Sequence, residues 1–156
     1  TPGFMVGPEI EKRAQVRHVC RMFVVGSHVT VPYFTVVLRR GYGLGVMAMA
    51  KGGFHESFFT AAWPTGEFGA MGLEGAVKAG FRKELAAEAD PEKREALYNK
   101  LVAALYEQGK AINMASYLEI DAVIDPADTR NWILRGLKSV PPRDASAVAH
   151  NFVDPW

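Results

Sequence analysis

Three alternating glycines, Gly41, Gly43 and Gly45, stand between a β-branched apolar run, Val36-Val37-Leu38, and the apolar segment Val46-Met47-Ala48-Met49-Ala50. Glycine has no Cβ, so the chain can turn there with φ > 0 and bring its backbone amides against a ligand without obstruction. Where a helix starts at such a turn, its first amides lack carbonyl partners and sit at the positive end of the helix dipole. Amides of that kind hold an anion or stabilise an oxyanion as it develops. A sharp strand-to-helix turn also calls for glycine on purely structural grounds. A dinucleotide site is disfavoured, because Val46 stands where the G-x-G-x-x-G fingerprint requires its third glycine.

Side-chain chemistry is sparse by comparison. His18, His28, His55 and His150 are scattered, with no Cys or carboxylate at ligand spacing, so no metal site is expected. The serines lie outside any Gly-x-Ser-x-Gly elbow. Cys20 falls in a helical apolar pattern without an activating partner and is expected to be a buried, inert thiol, while His18 reads as a core or interface residue. Met47, Met49 and Met71 could line an acyl pocket or simply fill the core. Glu67 and Glu74 are the carboxylates nearest the glycine turn. What remains is chemistry done by backbone amides.

The elements that must position this turn follow from periodicity. A helix is expected from about Glu9 through Ser27, with Pro8 in its first turn, dropping into a core as its last turns become apolar all round. Phe34 to Leu38 reads as a strand, the glycines as a tight turn, and the segment to Ala50 as a buried helix. Phe58 to Ala62 is a second strand, Trp63-Pro64-Thr65-Gly66 a turn, and Glu67 to Met71 a third strand. Gly72-Leu73-Glu74-Gly75 then opens a helix running to about Leu85, so the sequence strand, glycine-bearing turn, helix occurs twice. A surface helix follows, capped by Asp90, with Pro91 as its first residue, apolar positions 97, 101, 104 and 105, and Gly109 past its end. Asp121 to Ile124 is a short strand, and Asp125-Pro126 caps a helix to about Leu137. The alternation of strands and helices gives an α/β class.

Composition narrows the function. The chain has 156 residues, 49% hydrophobic and 22% charged, enough for one globular domain with a real core. Eighteen basic against seventeen acidic residues leave a net charge of +1 without a polybasic run, which argues against nucleic-acid and membrane-surface partners. One cysteine cannot form an internal disulfide, no stretch reaches membrane-span length, and the first residues lack a signal layout, so a cytoplasmic location is expected.

Six ordered motifs carry a family resemblance: Pro2-Gly3-Phe4 with Gly7 and Glu11; Leu38-Arg39-Arg40-Gly41-Tyr42-Gly43-Leu44-Gly45; Ala62-Trp63-Pro64-Thr65; Met71-Gly72-Leu73-Glu74-Gly75-Ala76-Val77; Phe81-Arg82-Lys83-Glu84-Leu85; and Ile120-Asp121-Ala122-Val123-Ile124-Asp125-Pro126. In this order the chain resembles the carboxyltransferase (β) subunit of biotin-dependent acyl-CoA carboxylases. The resemblance implies an α/β crotonase-like (ClpP/crotonase) fold of ββα units. Residues 1–138 would form part of the C-terminal carboxyltransferase domain of a longer polypeptide, and residues 139–156 an extended tail.

The implied reaction moves a carboxyl group from carboxybiotin, supplied on a biotinylated carrier protein by a biotin carboxylase subunit, to the α-carbon of an acyl-CoA. Carboxybiotin splits to carbon dioxide and a biotin enolate that removes the α-proton, so no side-chain base is required. By resemblance, Gly43, Leu44 and Gly45 are the catalytic turn that holds the biotin ureido oxygen, and the thioester oxygen belongs to the N-terminal domain. Many members read Gly-Gly-Ala where this chain has Gly-Leu-Gly; Leu44 still offers its N–H, with its side chain expected to turn away from biotin. Gly3, Phe4, Tyr42, Met47, Met71 and Gly72 would contact substrate, Met47 restricting it to a short acyl group. No metal is implied, and the subunits would form a homo-oligomer whose sites lie between domains of different subunits. The alternatives are a biotin-dependent decarboxylase, a non-catalytic assembly fragment, and a crotonase-type hydratase or isomerase using Glu67 or Glu74.

Overall fold

The computed structural model describes residues 1–142. The tail expected at 139–156 lies outside the described residues from position 143 onward. Two ββα units dominate. Strand β1 (Phe34–Val37) leads through Leu38 and Arg39 into β2 (Arg40–Tyr42) and helix α3 (Gly43–Met49); β3 (Phe59–Ala62) leads into β4 (Glu67–Gly69) and α4 (Leu73–Gly80). The units lie side by side, with Phe34 to Val37 parallel to Phe59 to Ala62 and Arg40 to Tyr42 parallel to Glu67 to Gly69. A fifth strand, β5 (Ala122–Val123), pairs in parallel with Ala61 and Ala62, giving a three-stranded sheet β1-β3-β5 beside the two-stranded β2-β4. The sequence reading ended the first strand at Leu38 and took Arg40 to Tyr42 as turn. The structure makes those residues β2, because the backbone of a Gly-bearing segment pairs as well as any other once a partner strand is aligned with it.

Strand alternation divides the core between two sheet faces. Val37 and Ala62 face α3, packing with Val46, Ala50, Phe54, Phe68, Ile120 and Ala111. Ala111 opens α7 (Ala111–Ser116). Phe59, Ala61 and Ile124 face the other way, toward Phe34, Val36 and Trp132 of α8 (Thr129–Ser139). Trp132 meets Phe59 edge-on at 5.6 Å between ring centroids. All four residues of β3 are buried, as expected for a central parallel strand covered on both faces. Asp121 anchors the third strand: its carboxylate accepts the Thr60 amide at 2.7 Å, and its own amide donates to the Thr60 carbonyl at 2.9 Å.

Several helices differ from the periodicity reading. The N-terminal helix is two, α1 (Pro8–Glu11) and α2 (Gln15–His28), separated where Ala14 takes a left-handed φ of 56°. Far from entering a core, α2 buries only Gly26, and Val16, Met22 and Val25 are exposed. His18 is exposed and Cys20 half-buried: α2 rests on α3 and the segment after it, which cover Val19, Cys20 and Phe23 only in part. The helix expected from Ala76 to Leu85 starts at Leu73 and breaks at Phe81 into α4 and α5 (Arg82–Ala87).

The capped helix is α6 (Pro91–Gln108), and the Asp90 side chain accepts from the amides of Glu92 and Lys93. Its inward stripe is half-buried through Leu97, Leu101 and Leu105, whereas Ala104 is exposed. Gly109 ends α6 with an ordinary φ of −78°. Glycine is needed there because a Cβ would collide with the Phe68 carbonyl oxygen, at the point where the Gly109 carbonyl accepts the Phe68 amide at 2.8 Å. Asp125 caps a short 3-10 turn, Pro126–Asp128, through the Ala127 amide at 2.8 Å before α8 begins.

Helix α7 ends in a Schellman turn. The Glu119 amide donates to the Met114 carbonyl and the Leu118 amide to the Ala115 carbonyl, both at 3.0 Å, with Leu118 at a φ of 61°. Glycine usually fills that position, and a left-handed non-glycine residue costs roughly 1–2 kcal/mol. Leu118 is 77% exposed, so its removal sacrifices little burial. Leu118→Gly is therefore expected to stabilise the fold by about 1 kcal/mol, raising Tm by about 2–4 °C. An unchanged or lower midpoint on thermal denaturation would show that Leu118 makes packing contacts that outweigh the strain.

Candidate active site: paired glycine turns above an apolar cavity

Strands β2 and β4 end together, Tyr42 opposite Gly69. Each chain then turns into a helix, through Gly43 into α3 and through Ala70-Met71-Gly72 into α4. Ligands of α/β sheets gather outside such carboxyl ends of parallel strands. The two turns touch. Gly43 has a φ of +58°, and a Cβ built on it would lie 2.7 Å from the Ala70 carbonyl oxygen. On its other side the first turn meets the N-terminal segment, a Cβ on Gly45 falling 3.0 Å from the Gly3 Cα and 3.2 Å from the Thr1 Oγ1. Thr1 itself lies along β2 opposite Gly41, its nitrogen donating to the Arg40 carbonyl at 2.6 Å and its carbonyl accepting the Tyr42 amide at 3.2 Å. Among the described residues, no side chain caps α3, and no carbonyl outside the helix accepts the amides of Gly43, Leu44 or Gly45.

Beneath the turn lies a cavity of about 680 Å³ whose walls are almost wholly apolar. Gly43, Leu44 and Met47 form one wall; Phe68, Leu73 and Leu105 are among the residues opposite. Leu44 borders this cavity and is 54% exposed. Met47 is 37% exposed and borders the space without closing it. The other expected contacts are placed differently. Gly3 packs on Gly45, and Phe4 is half-buried in the same N-terminal segment. Met71 is exposed and Gly72 caps α4. Leu73 and Leu105 were missed as cavity residues because their helical spacing marks them only as apolar stripe, which does not distinguish a pocket wall from packed core.

Tyr42 is buried, 3% exposed, and is not among the residues lining the cavity; its hydroxyl donates to Glu67 Oε2 at 3.0 Å. Burial first, then the bond to the Glu67 carboxylate, push its phenol above the ordinary tyrosine range. Arg40 Nε stands 4.0 Å from the same carboxylate oxygen. On the neighbouring helix, the Tyr106 hydroxyl donates to Glu74 Oε1 at 2.7 Å, which holds the Glu74 carboxyl below its usual range and raises Tyr106. Both carboxylates near the turn are thus engaged by tyrosines, and neither lines the cavity. Among the described residues, no group of three or more His, Cys, Asp or Glu is arranged to hold a metal ion.

Comparison with known proteins assigns this arrangement to a family. Residues 1–145 match the carboxyl transferase domain. The chain belongs to the carboxyl transferase domain family. It is 38% identical over 141 residues to the methylmalonyl-CoA carboxyltransferase 12S subunit of Propionibacterium freudenreichii subsp. shermanii, covering 88% of this chain and 26% of the relative. It is 35% identical over 140 residues to the carboxyltransferase subunit of propionyl-CoA carboxylase from Haloferax mediterranei, again covering 88% and 26%. The chain therefore spans about a quarter of the length of these curated relatives. Among solved structures, a single-chain, multi-domain long-chain acyl-CoA carboxylase superposes with a TM-score of 0.74 at 54% identity, over 86% of this chain and 13% of that one. The transcarboxylase 12S structure, a hexamer assembly with methylmalonyl-CoA bound, superposes with a TM-score of 0.77 at 34% identity, over 97% and 29%. The paired ββα units are thus part of a crotonase-like carboxyltransferase domain, the α/β fold the motifs imply. No helix among the described residues is long and apolar enough to cross a membrane.

Proposed function

We propose that the polypeptide carrying these residues transfers a carboxyl group from carboxybiotin, presented on a biotinylated carrier protein, to an acyl-CoA. The observation that carries this reading is the Gly43-Leu44-Gly45 turn: three amides with no carbonyl acceptor outside their helix among the described residues, at the paired ends of parallel strands, with Gly43 and Leu44 bordering an apolar cavity. In this reading the amides would hold the ureido oxygen of carboxybiotin, which would supply both the carboxyl group and the base for the α-proton of the acyl group. Positioning and oxyanion stabilisation then supply the catalysis. Of the carboxylates expected to serve a hydratase or isomerase, Glu67 and Glu74 are held by Tyr42 and Tyr106 outside the cavity, while the exposed Glu119 borders it.

The acyl group is read as longer than the short chain first expected from Met47. Two supports stand behind that revision: Met47 borders a cavity of about 680 Å³ instead of closing it, and the 54% identical solved relative is a long-chain acyl-CoA carboxylase. The complete subunit, supplied with carboxybiotin and a series of acyl-CoAs, is expected to carboxylate medium and long chains faster than acetyl-CoA. Met47→Ala should shift this preference further toward long chains. A preference for acetyl-CoA left intact by Met47→Ala, alongside a lowered melting temperature, would assign Met47 to the core.

A further inference from the structure

We infer that Tyr42 and Glu67 form a positioning clamp that fixes the proposed oxyanion turn against its neighbour; the inference rests on the reading of Gly43-Leu44-Gly45 given above. Tyr42 immediately precedes the turn, and its backbone is already tied to Thr1 on one side and aligned with Gly69 on the other. Its side chain runs along β4: ring atom Cδ1 lies 3.7 Å from where a Cβ on Gly69 would stand, and the hydroxyl ends on Glu67 Oε2 at 3.0 Å. One side chain therefore spans the whole of β4 from its last residue to its first. A carboxylate acceptor makes such a bond stronger than a neutral one, and its part-buried setting adds to that.

Packing alone would be served by phenylalanine. A buried hydroxyl is tolerated only if it is satisfied, and its bond to Glu67 fixes the lateral spacing of β2 and β4 one residue before Gly43 meets the Ala70 carbonyl. The raised phenol keeps that hydroxyl a donor throughout the physiological pH range. Arg40, at 4.0 Å from the same carboxylate and half-exposed, adds little to the hold. The amides that would stabilise the oxyanion belong to the residues directly after this clamp, so a small lateral displacement of β2 reaches them undiminished.

The test uses the complete carboxyltransferase subunit. Tyr42→Phe keeps the ring and every backbone bond and removes only the hydroxyl. It is expected to lower kcat by about 10- to 100-fold, the loss associated with a misplacement on the order of an ångström. KM for acyl-CoA should stay at its wild-type value, and the melting temperature should fall by only the few degrees that one lost hydrogen bond costs, with the kcat loss unchanged well below that midpoint. Glu67→Ala should lose a similar factor, and Glu67→Gln, which retains an acceptor, should recover most of that loss. Wild-type kcat in Tyr42→Phe would overturn the clamp. So would a loss that tracks a falling melting temperature and is restored by cooling, since that marks a structural role only. Failure of the underlying reading shows itself separately, as full turnover in a Gly43→Ala enzyme whatever Tyr42→Phe does.

Discussion

Gly43→Ala in the complete subunit is expected to reduce turnover about 100- to 1,000-fold, the range measured when one oxyanion donor is lost. Two independent effects act on the same atom. A residue with a Cβ at a φ of +58° carries a left-handed penalty of roughly 1–2 kcal/mol. Its Cβ would also lie 2.7 Å from the Ala70 carbonyl oxygen, a backbone atom that cannot swing aside as a side-chain tip would. The two turns must part, and the amides of Gly43, Leu44 and Gly45 move with the first of them. Gly45→Pro should give a loss of the same order by a different route, deleting one N–H outright. A folded Gly43→Ala enzyme with wild-type kcat would place the oxyanion donors outside this turn. The informative readout is kcat, because an interaction made only in the transition state lowers kcat and kcat/KM together.

Residues 1–156 purified alone are expected to fold, to self-associate, and to show no carboxylation of acetyl-, propionyl- or longer acyl-CoAs with carboxybiotin. The chain spans about a quarter of its curated relatives, and in the proposed reaction the second substrate is held by other parts of that longer polypeptide. Losing the alignment of two reactants forfeits an effect on the order of 7–11 kcal/mol. Self-association follows from α2, which leaves Val16, Met22 and Val25 56%, 45% and 63% exposed beside its contact with α3. Sedimentation should therefore report species larger than a monomer. Turnover by a monomer would refute both the partial-site reading and the division of substrates between segments.

Much of this architecture is legible in the sequence, and the failures have definite physical causes. The glycine turn, the Asp90 and Asp125 caps and the central strand were readable because each depends on local rules: φ freedom, orphan amides, apolar alternation. Strand β2 was not, since Arg40-Gly41-Tyr42 forms a strand only because Glu67-Phe68-Gly69 lies beside it. Tertiary pairing of that kind leaves no local trace. The exposed apolar stripe of α2 reads as core by periodicity, which reports that a face is covered but not by what. Tyr42 was expected to touch substrate through the family resemblance alone; its burial and its bond to Glu67 depend on the direction taken by one side chain, which spacing does not encode. The cavity was equally invisible, because wall and core residues share the same apolar identities.

Every paired strand in the described residues is parallel, and each partner lies in a different unit of the chain. No hairpin is present among them to form early and template the rest. Each ladder closes only after the intervening helix has been drawn back across the sheet, so the entropy of a long loop is lost before the first strand bond compensates it. Refolding is accordingly expected to be slow, with local helix such as α6 and its Asp90 cap forming before the two ββα units dock. The two glycine turns, one from each unit, are then expected to meet only in the step that aligns β2 with β4.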